Sequence, residues 1–204
     1  MVYTIEAKSI REARYKAVNL IRNKGKYTRD QRSEKVQYVK NVITSIDANN
    51  CELSEDPLTA RQQIAFKNDL VNWVKTNYVY TYGTEAQEED ALNKTIELLK
   101  ENPETRRAVI PLFKPRHVGE EDVPCMATLC FDVEDDALNE TIFARSNEKA
   151  IAEQSDIYGL AELLKWIAEK DDFDAGNVVL HVVNAHVRIN SEADLIKQIL
   201  KEGF

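Results

Sequence analysis

The pattern over residues 125–189 constrains the fold most. Two strand-like runs, CMATLCFDV and ALNETIFAR, flank the acidic turn Glu134-Asp135-Asp136. An amphipathic run follows at 156–169, with Ile157, Leu160, Leu163, Leu164 and Ile167 on one stripe. A long apolar strand, NVVLHVVNAHVRI, comes next. Period-two runs joined by a turn and then by a helical stripe require a sheet with a helix laid on it. The rest of the chain adds to that frame. A helix is expected over 9–24, a polar loop from Gly25 to Lys35, a strand over 35–46 and a loop over 47–56. Further helices are expected over 57–76, 87–101 and 191–202, with AVIPLF as another strand. With no linker, repeat or low-complexity tract, residues 1–204 read as a single α+β domain with flanking helices on an antiparallel-rich mixed sheet.

Composition removes several function classes. A net charge of −8 on 204 residues argues against broad contact with nucleic acid or anionic membranes. No apolar run approaches the roughly 20 residues of a membrane span. The N-terminus carries charges where a signal peptide has its apolar core. The cysteines Cys51, Cys125 and Cys130 contain no CxxC pair, so no metal site is indicated, and the expected setting is reducing and cytoplasmic. P-loop, GxGxxG, HExxH and Ser-His-Asp signatures are all missing.

What remains is a thiol among cations. Cys125 follows Pro124 at a strand start, and such a cysteine most often packs. Its surroundings favour a nucleophile, because Arg106, Arg107 and Arg145 with Ser146 have the forked donors and hydroxyl of a phosphate clamp. Strict alternation places Asn184, His186 and Arg188 on one strand face with Leu180 and Val182. Asp156 opens the 156–169 helix, a position where Asp commonly caps. Tyr78, Tyr80 and Tyr82 alternate and could line one face of an extended segment.

Taken in order, ENPETRRAVI, VPC, ARSN, DIYGLAELL and NAHVRI, following Tyr82-Gly83, resemble the thymidylate synthase family, which includes cytidylate hydroxymethylases. The resemblance covers about half the chain, and its N-terminal part looks like compact archaeal members. It implies a homodimer packed through its sheets, with a pyrimidine nucleoside monophosphate in each cleft and methylene-tetrahydrofolate or methylene-tetrahydromethanopterin as one-carbon donor. Cys125 matches the thiolate that adds to carbon 6 of the base. Arg145 and Ser146 match phosphate ligands, and Arg106 with Arg107 match a pair reaching the phosphate from the opposite subunit. Arg29 or Arg32 fills the place of a loop arginine, with Arg32 the candidate. His186 matches a sugar ligand.

The departures matter as much. Asp156 stands where the methylating enzymes carry an asparagine that reads uracil, and the analogous acid marks the cytidylate-specific relatives. A protonated Asp can donate to the bare ring nitrogen of cytosine and accept from its amino group. Met126 replaces a histidine, Ala144 a glutamine, Glu148 an aspartate, and Arg188 the tyrosine that partners the sugar histidine. Arg188 could therefore contact a ribose hydroxyl or the phosphate. The family's N-terminal catalytic glutamate and tryptophans have no evident match. Trp73 and Trp166 sit in helical stripes, and Glu52, Glu55 and Asp56 are open candidates for the acid. The leading expectation is hydroxymethylation of dCMP or CMP. The alternatives are methylation of dUMP to dTMP, and a nucleotide-binding relative without catalysis.

Overall fold

Local signals place the helices, and the sheet gathers them. In the computed structural model, which describes residues 1–72 and 80–203, helix α1 (Ile10–Lys24) starts where the Ser9 side chain accepts from the Glu12 amide. It ends where the Gly25 amide bonds the Ile21 carbonyl. Helix α2 (Pro57–Asn72) lies against helix α5 (Ala152–Lys170). Their approach depends on Gly159, where an added Cβ would sit 2.3 Å from the Phe66 ring. The later part of the expected 57–76 helix, with Trp73, lies outside the described residues, as does Tyr78.

The strands form one mixed sheet in the order β1 (Tyr3–Ala7), β3 (Lys35–Asp47), β8 (Asp174–Arg188), β6 (Ala137–Ala144), β5 (Met126–Glu134), β4 (Val109–Pro111). Strand β2 (Lys26–Arg29) pairs antiparallel with β3, and the two-residue β7 (Asn147–Glu148) pairs parallel with β8. The β5–β6 hairpin turns at Asp135 and Asp136, both with positive φ, as a tight hairpin turn demands. Leu129, Phe131, Leu138, Ile142, Val178 and Leu180 are buried in one core with Leu160, Leu163, Leu164 and Ile167 of α5.

Several sequence expectations are corrected. Strand β1 was not foreseen, and the expected loop after Gly25 contains β2, whose four exposed residues carry no hydrophobic pattern. The expected 87–101 helix starts only at Ala91, as α4 (Ala91–Glu101), and left-handed Glu89 and Asp90 separate it from a short helix that was not foreseen, α3 (Tyr82–Gln87). Helix α5 begins at Ala152, so Asp156 lies a turn inside it and is not its cap. The Glu148 carboxylate takes that role, accepting from the amides of Ala150, Ile151 and Ala152.

Strict alternation also fails in β8. Val178, Leu180 and Val182 are buried, but beyond them the buried residues are Ala185 and Val187. The same change of parity occurs across β3 at Asn41, which has a φ of 55° and lies between the paired positions Lys40–Asn184 and Val42–Val182. Asn184, His186 and Arg188 therefore leave the row that Leu180 and Val182 occupy. The final helix α6 (Ala193–Glu202) follows.

Candidate active site

Cys125 sits directly before β5, at the point where the β5–β6 register shifts between Met126 and Thr128. An irregular start leaves amides without ladder partners, and the Tyr82 hydroxyl accepts two of them, Cys125 N–H at 3.0 Å and Met126 N–H at 3.3 Å. Tyr80, set edge-on to Tyr82, donates its hydroxyl to the Val123 carbonyl at 3.1 Å. The two tyrosines thus hold the segment that presents the thiol. The alternating tyrosines were visible in the sequence, but Tyr82 opens α3 instead of continuing an extended row, and the tie to the cysteine was not visible.

Arg145 closes on the same segment from β6. Its Nε donates to Pro124 O and an Nη to Val123 O, both at 2.9 Å, and that Nη lies 3.6 Å from the Cys125 sulfur. Burial still dominates the thiol and pushes it up, with Asp156 adding to the rise while Arg145 and Arg188 oppose it. At Cys125 the cations therefore only offset desolvation. Cys51 is raised further, to about 12, by burial and is inert.

Ser146 lies 3.4 Å from His186 Nδ1 and 3.4 Å from the Asn184 carbonyl. Burial lowers the His186 pKa, favouring the neutral ring, which can donate from one nitrogen and accept at the other. Asn147, the next residue, donates its Nδ2 to Asp156 Oδ2 at 2.6 Å. Burial pushes the Asp156 carboxyl up to about 7, against the opposing pull of the Asn147 hydrogen bond and Lys149. Part of the residue stays solvent-accessible. Behind it the fully buried Lys149 pairs with Glu153.

The remaining candidates separate. Arg32 reaches toward Asp122, in the segment leading to Cys125, at 3.9 Å, whereas Arg29 is tied to Ser33 in its own loop. Arg188 is engaged by Glu192 at 3.1 Å and Glu34 at 3.5 Å. Arg106 and Arg107 are exposed and contact none of these residues. They precede Ala108, whose carbonyl accepts from Phe131. That places them about 20 Å or more along β5 from Cys125, by the rise per residue.

A groove of about 610 Å³ lies elsewhere, at the N-terminal ends of α1, α2 and α5. Glu52, Glu55, Asp56 and Glu202 line it with Arg11 and Arg14. Its carboxylates do not suit the anionic tail of a reduced folate or methanopterin, so the donor is not assigned to it. Asp56 caps α2 through Thr59, leaving Glu52 and Glu55 on the groove wall.

The family model described as thymidylate synthase matches residues 43–203. A candidate thymidylate synthase of Methanococcoides burtonii is 29% identical over 205 residues, covering 97% of this chain and 94% of its own. One from Methanothermobacter marburgensis is 28% identical over the whole of both chains. The crystal structure of thymidylate synthase from T4 phage superposes with a TM-score of 0.73 at 15% identity, covering 89% of this chain and 79% of that one. That likeness shows the fold.

Proposed function

Because the chain belongs to the thymidylate synthase family, we propose that it transfers a one-carbon unit to carbon 5 of a cytidylate, dCMP or CMP, and releases the hydroxymethyl product. A transferase acting on a pyrimidine nucleotide is the family's general activity, and the base and product are the finer reading. The observation that carries it is Asp156, a carboxyl held near 7 by burial beside the Cys125 segment.

In this mechanism the Cys125 sulfur forms a bond to carbon 6 of the ring, and the electron pair of the 5,6 double bond makes carbon 5 nucleophilic. Bound methylene-tetrahydrofolate or its methanopterin counterpart supplies the carbon. Arg145, Ser146 and Arg32 hold the phosphate, so that its binding energy fixes the ring over the thiol. His186 takes a sugar hydroxyl, and Arg188 the neighbouring edge. Protonated Asp156 donates to ring nitrogen 3 and accepts from the amino group, drawing charge off the ring as sulfur adds. Once carbon 5 has taken up the one-carbon unit, loss of its proton with departure of the carrier's amine would leave an exocyclic methylene. Addition of water to that methylene, as the Cys125 sulfur leaves carbon 6, restores the aromatic ring and yields hydroxymethyl, whereas hydride would yield methyl.

Release of tritium from carbon 5 of labelled dCMP, CMP and dUMP tests the reading. Release from a cytidylate, abolished in Cys125→Ser, is expected. Release from dUMP alone overturns the cytosine reading and leaves methylation of dUMP. Binding without release from any nucleotide, with either donor, leaves a binding protein without catalysis.

A further inference from the structure

A carboxylic acid is an ambiguous reader of pyrimidines. It has one donor and one acceptor, and its proton can sit on either oxygen. With the proton facing ring nitrogen 3 it matches cytosine, and with the proton facing the carbon 4 substituent it matches uracil. An acid free to exchange the two would take both bases. Discrimination therefore needs something that distinguishes the oxygens.

Asn147 does so. It stands between Ser146 and the helix-capping Glu148, and its Nδ2 donates to Asp156 Oδ2 at 2.6 Å. Oδ1 of Asp156 is left for a ligand. The other end of the amide, Asn147 Oδ1, is buried with no partner among the described residues. An orphaned buried acceptor is costly and calls for an explanation. It also means that Asp156 alone orients this amide. We propose that Asn147 is the specificity-determining positioning residue of the site, confining the exchangeable proton of Asp156 to Oδ1 so that the acid reads one base and not both. This rests on the reading of Asp156 as the base-binding group.

In either orientation of the amide Oδ2 is withheld as a donor to the base, and the observed one, with Nδ2 toward Asp156, also keeps the proton on Oδ1. With Nδ2 toward Asp156, a proton on Oδ2 would face an N–H donor and is disfavoured. With the amide turned, a proton on Oδ2 would be donated to Asn147 Oδ1 and lost to the ligand. In both cases Oδ2 cannot donate to a base. The other charged or titratable groups that act on this carboxyl are Lys149, Glu153 and Glu148, with the Cys125 thiol and Tyr82 hydroxyl across the cleft. None of them is hydrogen-bonded to an Asp156 oxygen, so they set how readily the proton is held but not which oxygen holds it.

The test is calorimetry of dCMP, CMP and dUMP on wild type, Asn147→Ala, Asn147→Leu and Asp156→Asn, which needs no turnover. Asn147→Leu keeps the volume should Asn147→Ala unfold. The wild-type preference for cytidylate is expected to fall by about tenfold in both Asn147 variants, mainly through tighter binding of dUMP. The pH above which cytidylate binding weakens should also move up, because the Asn147 N–H favours the ionised acid. Equal weakening for all three nucleotides, with the preference unchanged, would make Asn147 merely structural and overturn the proposal. Asp156→Asn separates the two claims: if it leaves the preference where wild type has it, Asp156 does not read the base, and the underlying reading fails whatever Asn147 does.

Discussion

Burial raises both Cys125 and Asp156, and the proposed chemistry needs one deprotonated and the other protonated. Below about 7 the acid is protonated, and the thiolate fraction grows with pH, so kcat/KM rises. Between about 7 and the elevated thiol pKa, gain of thiolate and loss of acid cancel. Above the thiol pKa only the loss remains, and the rate falls. The expected profile is a broad bell whose ascending limb lies near 7, and the limbs belong to the pair as a unit. In Asp156→Asn the acid no longer titrates, so residual turnover should keep rising through 7 toward the thiol limb. A wild-type rate that falls as pH passes 7 would contradict this. The residues themselves were readable from the sequence because family motifs carry them: VPC, ARSN, NAHVRI and the acid in DIYG. Asn147 was not, since nothing in the string says that its amide faces a carboxylate nine residues on.

At the scale of elements, the helix–sheet frame was legible wherever one face is continuously apolar, as in α5, β5 and β6. It failed where tertiary pairing overrides pattern. Exposed β2 forms because β3 offers it an edge, and the buried parity of β3 and β8 changes across Asn41. That change takes His186 and Arg188 out of the core row, so an irregularity costing ladder regularity positions the two residues proposed to hold the sugar. The start of α5 was misplaced for a related reason. Glu148 caps from outside the helix, and a buried ion pair, Lys149–Glu153, occupies positions that read as loop. Replacing Lys149 by Met strands Glu153 among Glu148 and Asp156, and the predicted loss is about 3–5 kcal/mol by chemical denaturation. Lys149→Met with Glu153→Leu should recover most of it. If the single variant is neutral, the pair does not hold the end of α5.

For the whole molecule, the sheet face away from the helices leaves Val109 and Phe143 each 43% exposed, with Phe143 edge-on to His181. Apolar surface of this kind fits the proposed pairing of two copies through their sheets. Arg106 and Arg107 supply the functional argument. Too far along β5 to serve their own Cys125, they would complete the phosphate site of a second copy. Mixing Cys125→Ser with Arg106→Ala/Arg107→Ala should then restore about a quarter of wild-type activity, from one intact site in each mixed dimer. Parents that stay inactive on mixing, though dimeric by light scattering, would place both arginines outside the site. No helix among the described residues is long and apolar enough to cross a membrane. The central claim is a bond from Cys125 to carbon 6 of a cytidylate, and intact mass tests it most directly. With a 5-fluorocytidylate and a methylene-carrying reduced folate or methanopterin, fluorine cannot leave carbon 5 as the proton does, so the adduct should persist. The account predicts a mass increase equal to nucleotide plus donor on wild type and none on Cys125→Ser. An unmodified mass with nucleotide bound, or an adduct formed only with the 5-fluorouridylate, would contradict it.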